Sequence, residues 1–414
     1  MKSLRFTPVS LVLFFAVIFS FSGCSRDCTE FRTYIKYIPL EKTITEIRSS
    51  FKVDVPKTLD NPKKIYIYGK YLFIVDEFKG FQIVDNSDVN NPMPLHFIHL
   101  DGCTDVSVNN GIIYANQGPD IVSLSIDNLA NIQLTGRVQN VMNTALMIGN
   151  NFIYDYDKVE VTEEVPCGSS AFRSGRNDFF SAEKNDFSIT NTGSSGGNNS
   201  GTGGSLARMS FVEGILYLVD NTSLTTIEVT NGFKTLYTGN IGFEIETIFG
   251  TASHLFIGTS TGMLIYNRNN GYQPTYLSGI SHARGCDPVA VQGNYAYVTV
   301  RGNGNCGEAN NELLVIDISN ISAPTLHSAH TMNSPYGLGL NNDVLFICDG
   351  TSGLRIFDKS SLETITQNEL ATITGIDAYD VIPLETTLIL STSQGVFQYD
   401  YTDVTKPRLL SKLY

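Results

Sequence analysis

Three features of this 414-residue sequence predict an all-β fold built from repeats. Short apolar strands with a central aromatic recur, tight polar turns separate them, and the mature chain keeps no helical apolar period for long. The recurring strands read Tyr71-Leu72-Phe73-Ile74, Gly111-Ile112-Ile113-Tyr114, Asn151-Phe152-Ile153-Tyr154 and Ile215-Leu216-Tyr217-Leu218. They continue as His254-Leu255-Phe256-Ile257, Tyr295-Ala296-Tyr297-Val298, Val344-Leu345-Phe346-Ile347 and Thr387-Leu388-Ile389-Leu390. From Phe73 through Tyr114, Tyr154, Tyr217, Phe256, Tyr297 and Phe346 to Ile389 the steps are 41, 40, 63, 39, 41, 49 and 43. A period of about 40 residues belongs to a four-stranded blade, so the expected fold is a β-propeller. Eight copies predict eight four-stranded blades; a seven-bladed ring with one decorated extra copy is the alternative.

The chain begins with an address. Lys2 and Arg5 precede an apolar run from Leu11 to Phe21, too short to span a bilayer but of signal-peptide length. It ends in Phe21-Ser22-Gly23-Cys24, which resembles the lipobox of bacterial lipoproteins, with Phe21 where Leu is usual. That resemblance implies removal of residues 1–23, which moves the net charge from −13 to −15, and acylation of the Cys24 thiol. Several acyl chains, at about 0.8 kcal/mol per buried CH₂, anchor stably. Residues 24–50 read as a spacer from the membrane that can end on the outer blades, with a short helix possible over 41–52. The propeller is expected over 51–414.

Within each repeat, a Gly-containing turn leads to a third strand, as in Gly80-Phe81-Gln82-Ile83-Val84-Asp85 and Gly353-Leu354-Arg355-Ile356-Phe357-Asp358. Asp/Ser/Asn turns ending at Pro92, Pro324 and Pro407 follow, because Asp and Ser bond nearby backbone and Pro presets chain direction. A fourth strand such as Leu95-His96-Phe97-Ile98 closes the unit. The third repeat is irregular. Residues 190–205 contain only Thr, Asn, Gly and Ser, so the insertion over about 166–206 is expected to be a flexible loop. Residues 301–311 form a smaller insertion.

With these repeats in view, the chain resembles the LVIVD-repeat β-propeller lipoproteins of Bacteroidetes-type envelopes. Leu314-Val315-Ile316-Asp317 is close to the name-giving motif and Ile83-Val84-Asp85 is a partial copy. His282-Ala283-Arg284-Gly285-Cys286-Asp287-Pro288-Val289 and Ala378-Tyr379-Asp380-Val381-Ile382-Pro383 also fit. The resemblance implies a propeller and an envelope location, and brings no catalytic residues with it.

Strand alternation puts the loops entering each innermost strand and the loops between second and third strands at one end of every blade. That face is the expected binding face, and it gathers Asp105, His282, Arg284, Asp287, Arg301, Tyr336, Asp349 and Asp380. Cys286 and Cys306 lie on the two kinds of loop of one blade and form the candidate disulfide, with two free thiols as the alternative. Such a bridge contributes roughly 3 kcal/mol in the chain-entropy model. Asp85-Asn86-Ser87-Asp88 and Asp349-Gly350 are oxygen-rich but lack the EF-hand spacing, so turn chemistry is expected there rather than a structural divalent cation. No cofactor is expected. An acidic chain without basic clusters is a poor partner for nucleic acid.

Marks of enzymatic propellers are missing from the sequence. It contains no tryptophan and no ordered Ser/His/Asp set. The expected function is therefore a non-catalytic binding or scaffold module for an envelope protein or glycan, held at the outer membrane by its lipid. The second reading is a hydrolase or lyase acting on an extracellular small molecule or glycan at the central channel.

Overall fold

A computed structural model describes residues 29–142, 146–166, 202–205, 207–269, 272–282, 285, 288–302 and 310–414. These divide into two compact units, one with the described residues of 29–38 and 157–166, the other with those of 39–156 and 202–414. In the first, the described parts pair as two strands, with the Thr33 and Thr162 hydroxyls 2.9 Å apart.

The second unit holds the propeller, as the repeats predict. Blade 1 is Pro62–Tyr68, Tyr71–Asp76, Gly80–Asp85 and Met93–His99. Blade 2 runs from Val106–Asn109 to Leu134–Val138, blade 3 from Met209–Val212 to Lys234–Asn240, and blade 4 from Ile245–Gly250 to Thr275–Ser281. Blade 5 runs from Val289–Gln292 to Thr325–Thr331, blade 6 from Leu338–Asn341 to Glu369–Ile373, and blade 7 from Ala378–Pro383 to Arg408–Leu413. Successive innermost strands touch around the ring, and that of blade 1 meets blade 7.

Second strands read as unbroken apolar runs because both of their faces are buried between neighbouring blades. Leu72, Phe73, Ile74 and Val75 are all fully buried, as are the equivalent Tyr217, Tyr297 and Phe346. Outer strands face water on one side and mix exposed with half-buried residues, as in Lys234–Asn240. Between the first two strands of blade 2, Asn110-Gly111 has φ values of 49° and 73°. A two-residue hairpin turn of the twist-matching kind needs such left-handed backbone, which Asn and Gly accept at little steric cost. Every blade also shifts register between its third and fourth strands, at Ile83/Val84, Leu134/Gly136, Thr226/Ile227 and the corresponding sites of the other four. One extra residue there bends and twists the outer strand.

The eight sequence copies correspond to eight sheets, of which seven close the ring among the described residues. The third copy departs from a four-stranded blade: Asn151–Pro166 pairs with Met147–Ile148 on one side and Thr29–Thr43 on the other. The sequence after Val161 turns polar and holds no apolar run like that of the other third strands. Blade 2 instead meets blade 3 directly.

Residues 44–49, within the candidate short helix, form helix Ile44–Ser49. Thr43 and Glu46 make a reciprocal capping box, and Ile47 is fully buried. Arg48 and Arg137 both donate to the buried Asp120 at 2.8 Å, which holds its carboxyl below the ordinary range despite burial.

Ring closure uses no shared strand. All four strands of blade 7 come from the C-terminal end, and the four of blade 1 from residues 62–99. The two blades join through a common apolar cluster that includes Ile65, Ile74, Val84, Ile382, Ile389 and Val396. Asn86 and Gln398 add a buried reciprocal amide pair, at 2.9 and 2.7 Å.

Candidate functional site

The axis of the ring is occupied by the chain itself. Thr202–Gly203 adds to the inner edge of blade 1, pairing with Ile67 and Tyr66. Ser205 then bridges blades 7 and 6: its N–H donates to Asp380 Oδ1 at 3.0 Å, and its hydroxyl oxygen accepts from Leu338 N at 2.6 Å. Arg208 N donates to Asp105 Oδ2 at 3.0 Å. A segment expected to be flexible throughout 166–206 is thus buried at residues 203–205. Glycine makes this close approach possible, since a Cβ at Gly204 would lie 1.8 Å from Asp380 Oδ2. Residues 167–201 and 206 lie outside the described residues.

Around this plug sits a sealed ionic cluster. Lys64 of blade 1 lies 3.0 Å from Asp105, which leads into blade 2, and both are 4% exposed at the side chain. Asp105 Oδ1 also accepts from Val106 N at 2.8 Å. Asp380 is fully buried in blade 7, accepts at Oδ1 from Ser205 N and Val381 N, and leaves Oδ2 without a donor. Burial pushes its carboxyl well above the ordinary range, and burial likewise lowers the Lys64 ammonium to about 8 against the pull of Asp105.

The described residues of the expected binding face take different places. Asp105, Asp349 and Asp380 are buried. Asp349 accepts from Asn333 N at 3.1 Å and Ser334 N at 2.7 Å and faces Arg355 at 3.4 Å, so it organises loops of blade 6. His282 is half-buried at a cleft of about 290 Å³ between blades 4 and 5, beside Ile280, Glu312, Leu314 and Leu326. Arg284, Asp287, Cys286 and Cys306 lie outside the described residues, as does Cys24.

What stays within reach on this face is an arc of cations and tyrosines. The Arg301 guanidinium stacks 3.8 Å over the Tyr336 ring, Tyr336 packs edge-on against Tyr379 at 5.4 Å, and Lys63 lies 4.4 Å over Tyr379. The arc crosses blades 5, 6, 7 and 1. Tyr336, Tyr379 and Lys63 are half-buried while Arg301 is buried beneath. Tyr379 and Lys63 were not singled out by the sequence, although Tyr379 stands next to Asp380 in a stretch that was. Tyrosine rings held by cations present rigid amphipathic surface, the kind enriched at recognition sites.

Turn chemistry accounts for the oxygen-rich stretch of blade 1. Asp85 accepts from Ser87 N at 2.9 Å and Asp88 from Asn90 N at 3.0 Å. Among the described residues no group of three His, Cys, Asp or Glu side chains is placed to hold a metal ion. Cys103 and Cys348 are buried, unpaired thiols; burial pushes Cys103 up to about 12 and holds Cys348 well above its ordinary value. Iodoacetamide is accordingly expected to spare both in the native protein and label them after denaturation, read by peptide mass. Labelling of either at the native rate of a free thiol would show that the axis opens.

The LVIVD-repeat family matches residues 61–95 and 283–331, that is, blade 1 and the region of blade 5. No curated protein matches the chain significantly. Among solved structures, the chain is similar to Sqt1 of Saccharomyces cerevisiae at 9% identity and a TM-score of 0.50, over 90% of this chain and 86% of that one. It is also similar to BamB from Moraxella catarrhalis, at 9% identity and a TM-score of 0.49, over 88% and 90% of the two chains. The computationally designed Ika8 protein resembles it at 8% identity and 0.49, over 86% and 89%. At these identities the likeness concerns the fold alone. A propeller made of such repeats is, in general terms, a binding or scaffold module.

Proposed function

From a chain that carries LVIVD repeats in a propeller plugged by its own backbone, we propose a non-catalytic binding module for an envelope protein or glycan, tethered to the outer membrane by lipid on Cys24. The observation that carries this reading is the plug. With Gly203, Gly204 and Ser205 buried among blades 1, 2, 6 and 7, the axis offers a rigid floor, and recognition falls to the surface above it. Tyr336, Tyr379 and Lys63 lie on that surface, with Arg301 buried beneath Tyr336. Preformed aromatic anchors lose little side-chain entropy on binding, which suits them to affinity. Cys286 and Cys306 are proposed to pair and pin the 301–311 loop beside the arc.

The same plug weighs against a hydrolase or lyase working in the channel, since a substrate there would have to displace residues 202–205. Crosslinking mass spectrometry on intact cells is expected to link residues near 301–302 and 336 repeatedly to one envelope protein. Tyr336→Ala with Tyr379→Ala should then abolish those links without altering the thermal transition. Links to the protein alone would move the partner to a glycan, and unchanged links in the double variant would move the site off this arc.

A further inference from the structure

The axial cluster holds a nucleophile that no outside molecule reaches. Lys64 and Asp105 are each 3% exposed, with the ammonium 3.0 Å from Oδ2. Lys64 Nζ is ion-paired with Asp105, yet no acceptor is aligned with any of its three donor hydrogens, and in the same cluster Asp380 Oδ2 has no donor. Buried polar atoms in native proteins are nearly always satisfied. Two such atoms in one sealed cluster, with a carboxyl carbon beside the amine, call for a chemical explanation.

We propose that Lys64 and Asp105 become joined by an isopeptide bond, formed within the folded ring with Asp380 carrying the protons. Proton transfer inside the ion pair first gives a neutral amine and a neutral acid. Nζ attacks Cγ of Asp105 and the N–C bond forms. Charge gathers on Oδ1, which already accepts from the backbone N–H of Val106 at 2.8 Å, while Oδ2, beside the Arg208 N–H at 3.0 Å, is the oxygen that departs. Asp380 gives its proton to the departing hydroxyl and takes one from nitrogen. The C–O bond breaks, one water leaves, Asp380 is restored, and nothing is oxidised or reduced.

Burial supports the protonation states this needs, holding the Lys64 amine at about 8 and keeping Asp380 protonated well above the ordinary carboxyl range. Two groups fixed in contact react as if at roughly 10⁵–10⁸ M, which drives condensation that dilute amine and acid do not undergo. The product resolves both orphans. An amide nitrogen keeps a single N–H, and Asp380 Oδ2 is an acceptor in the same cluster. The bond would lock blade 1 to blade 2 at the axis.

Intact mass of the denatured full chain reads the bond directly. The expected result is a chain lighter by one water, whose digest yields a branched peptide joining the segments of Lys64 and Asp105. Asp380→Asn, close in shape, is expected to accumulate the unlinked mass with an unchanged circular dichroism spectrum. Full sequence mass with Lys64 and Asp105 on separate peptides overturns the proposal. So does a water lost elsewhere, or a branch at Asp380 instead of Asp105. Complete linkage in Asp380→Asn removes Asp380 from the step.

Discussion

Gly204→Ala is expected to cost about 3 kcal/mol of stability, or to drive residues 202–205 out of the axis, because a buried site that cannot relax penalises added volume. The new methyl would start 1.8 Å from Asp380 Oδ2, whose carboxyl is held by Ser205 N and Val381 N and cannot swing away without losing both. Two measurements separate the outcomes. If the plug stays, the thermal transition falls; if it leaves, the transition moves less and the amides of Gly203 and Ser205 exchange quickly with solvent. Fast exchange at these amides in the unaltered protein would mean that the axis is already open, and the binding surface proposed above would have to include it. A variant with neither change would show that the plug is not seated as described.

Gln398→Leu tests the seam of the ring and carries a comparable cost, about 3 kcal/mol. Leucine keeps the volume but leaves the buried amide of Asn86 with neither its donor nor its acceptor, and each stranded group costs about 1–3 kcal/mol. Ser411 Oγ, 3.1 Å from Gln398 Nε2, loses a bond as well. Adding Asn86→Leu should recover much of the loss, since replacing both partners by apolar groups removes the orphans. Urea unfolding of the two single variants and the double one gives the coupling. A double variant as unstable as the sum of the singles would mean that the pair contributes nothing beyond packing.

Much of the ring was legible because its second strands sit between blades and need apolar residues on both faces. Phe73, Tyr217, Tyr297 and Phe346 mark that position for anyone counting along the chain. Blade count was not legible to the same degree. Asn151-Phe152-Ile153-Tyr154 has the local pattern of every other second strand, and its pairing with Thr29–Thr43 depends on what the following residues fail to provide. Local pattern encodes strand character; it does not encode the partner.

The candidate site divides along a similar line. Asp105 and Asp380 were found by position, because topology alone sends their loops to one face. Their burial was invisible, for the element that buries them is a stretch of Thr, Gly and Ser that binds through backbone and close approach. Low-complexity sequence signals little about where a chain rests when its contacts are made by N–H and C=O groups. The stacking of Tyr379 between Tyr336 and Lys63 was equally hidden, since its two partners come from two other blades.

Because no blade borrows a ladder strand from the opposite terminus to close the ring, the order in which blades are synthesised is not written into the sheets. Old ends could be joined and new ones opened between blades 4 and 5, at the Ser281 to Val289 connector, and all seven four-stranded ladders would still be made of consecutive chain. Such a circular permutant keeps the Asn86–Gln398 seam as an ordinary internal junction. For a chain synthesised in order from its N-terminus, the native arrangement means that blade 1 waits for the last blade with one flank uncovered. Its apolar residues Ile65, Leu72, Ile74 and Val84 are the surface most in need of protection until the ring closes.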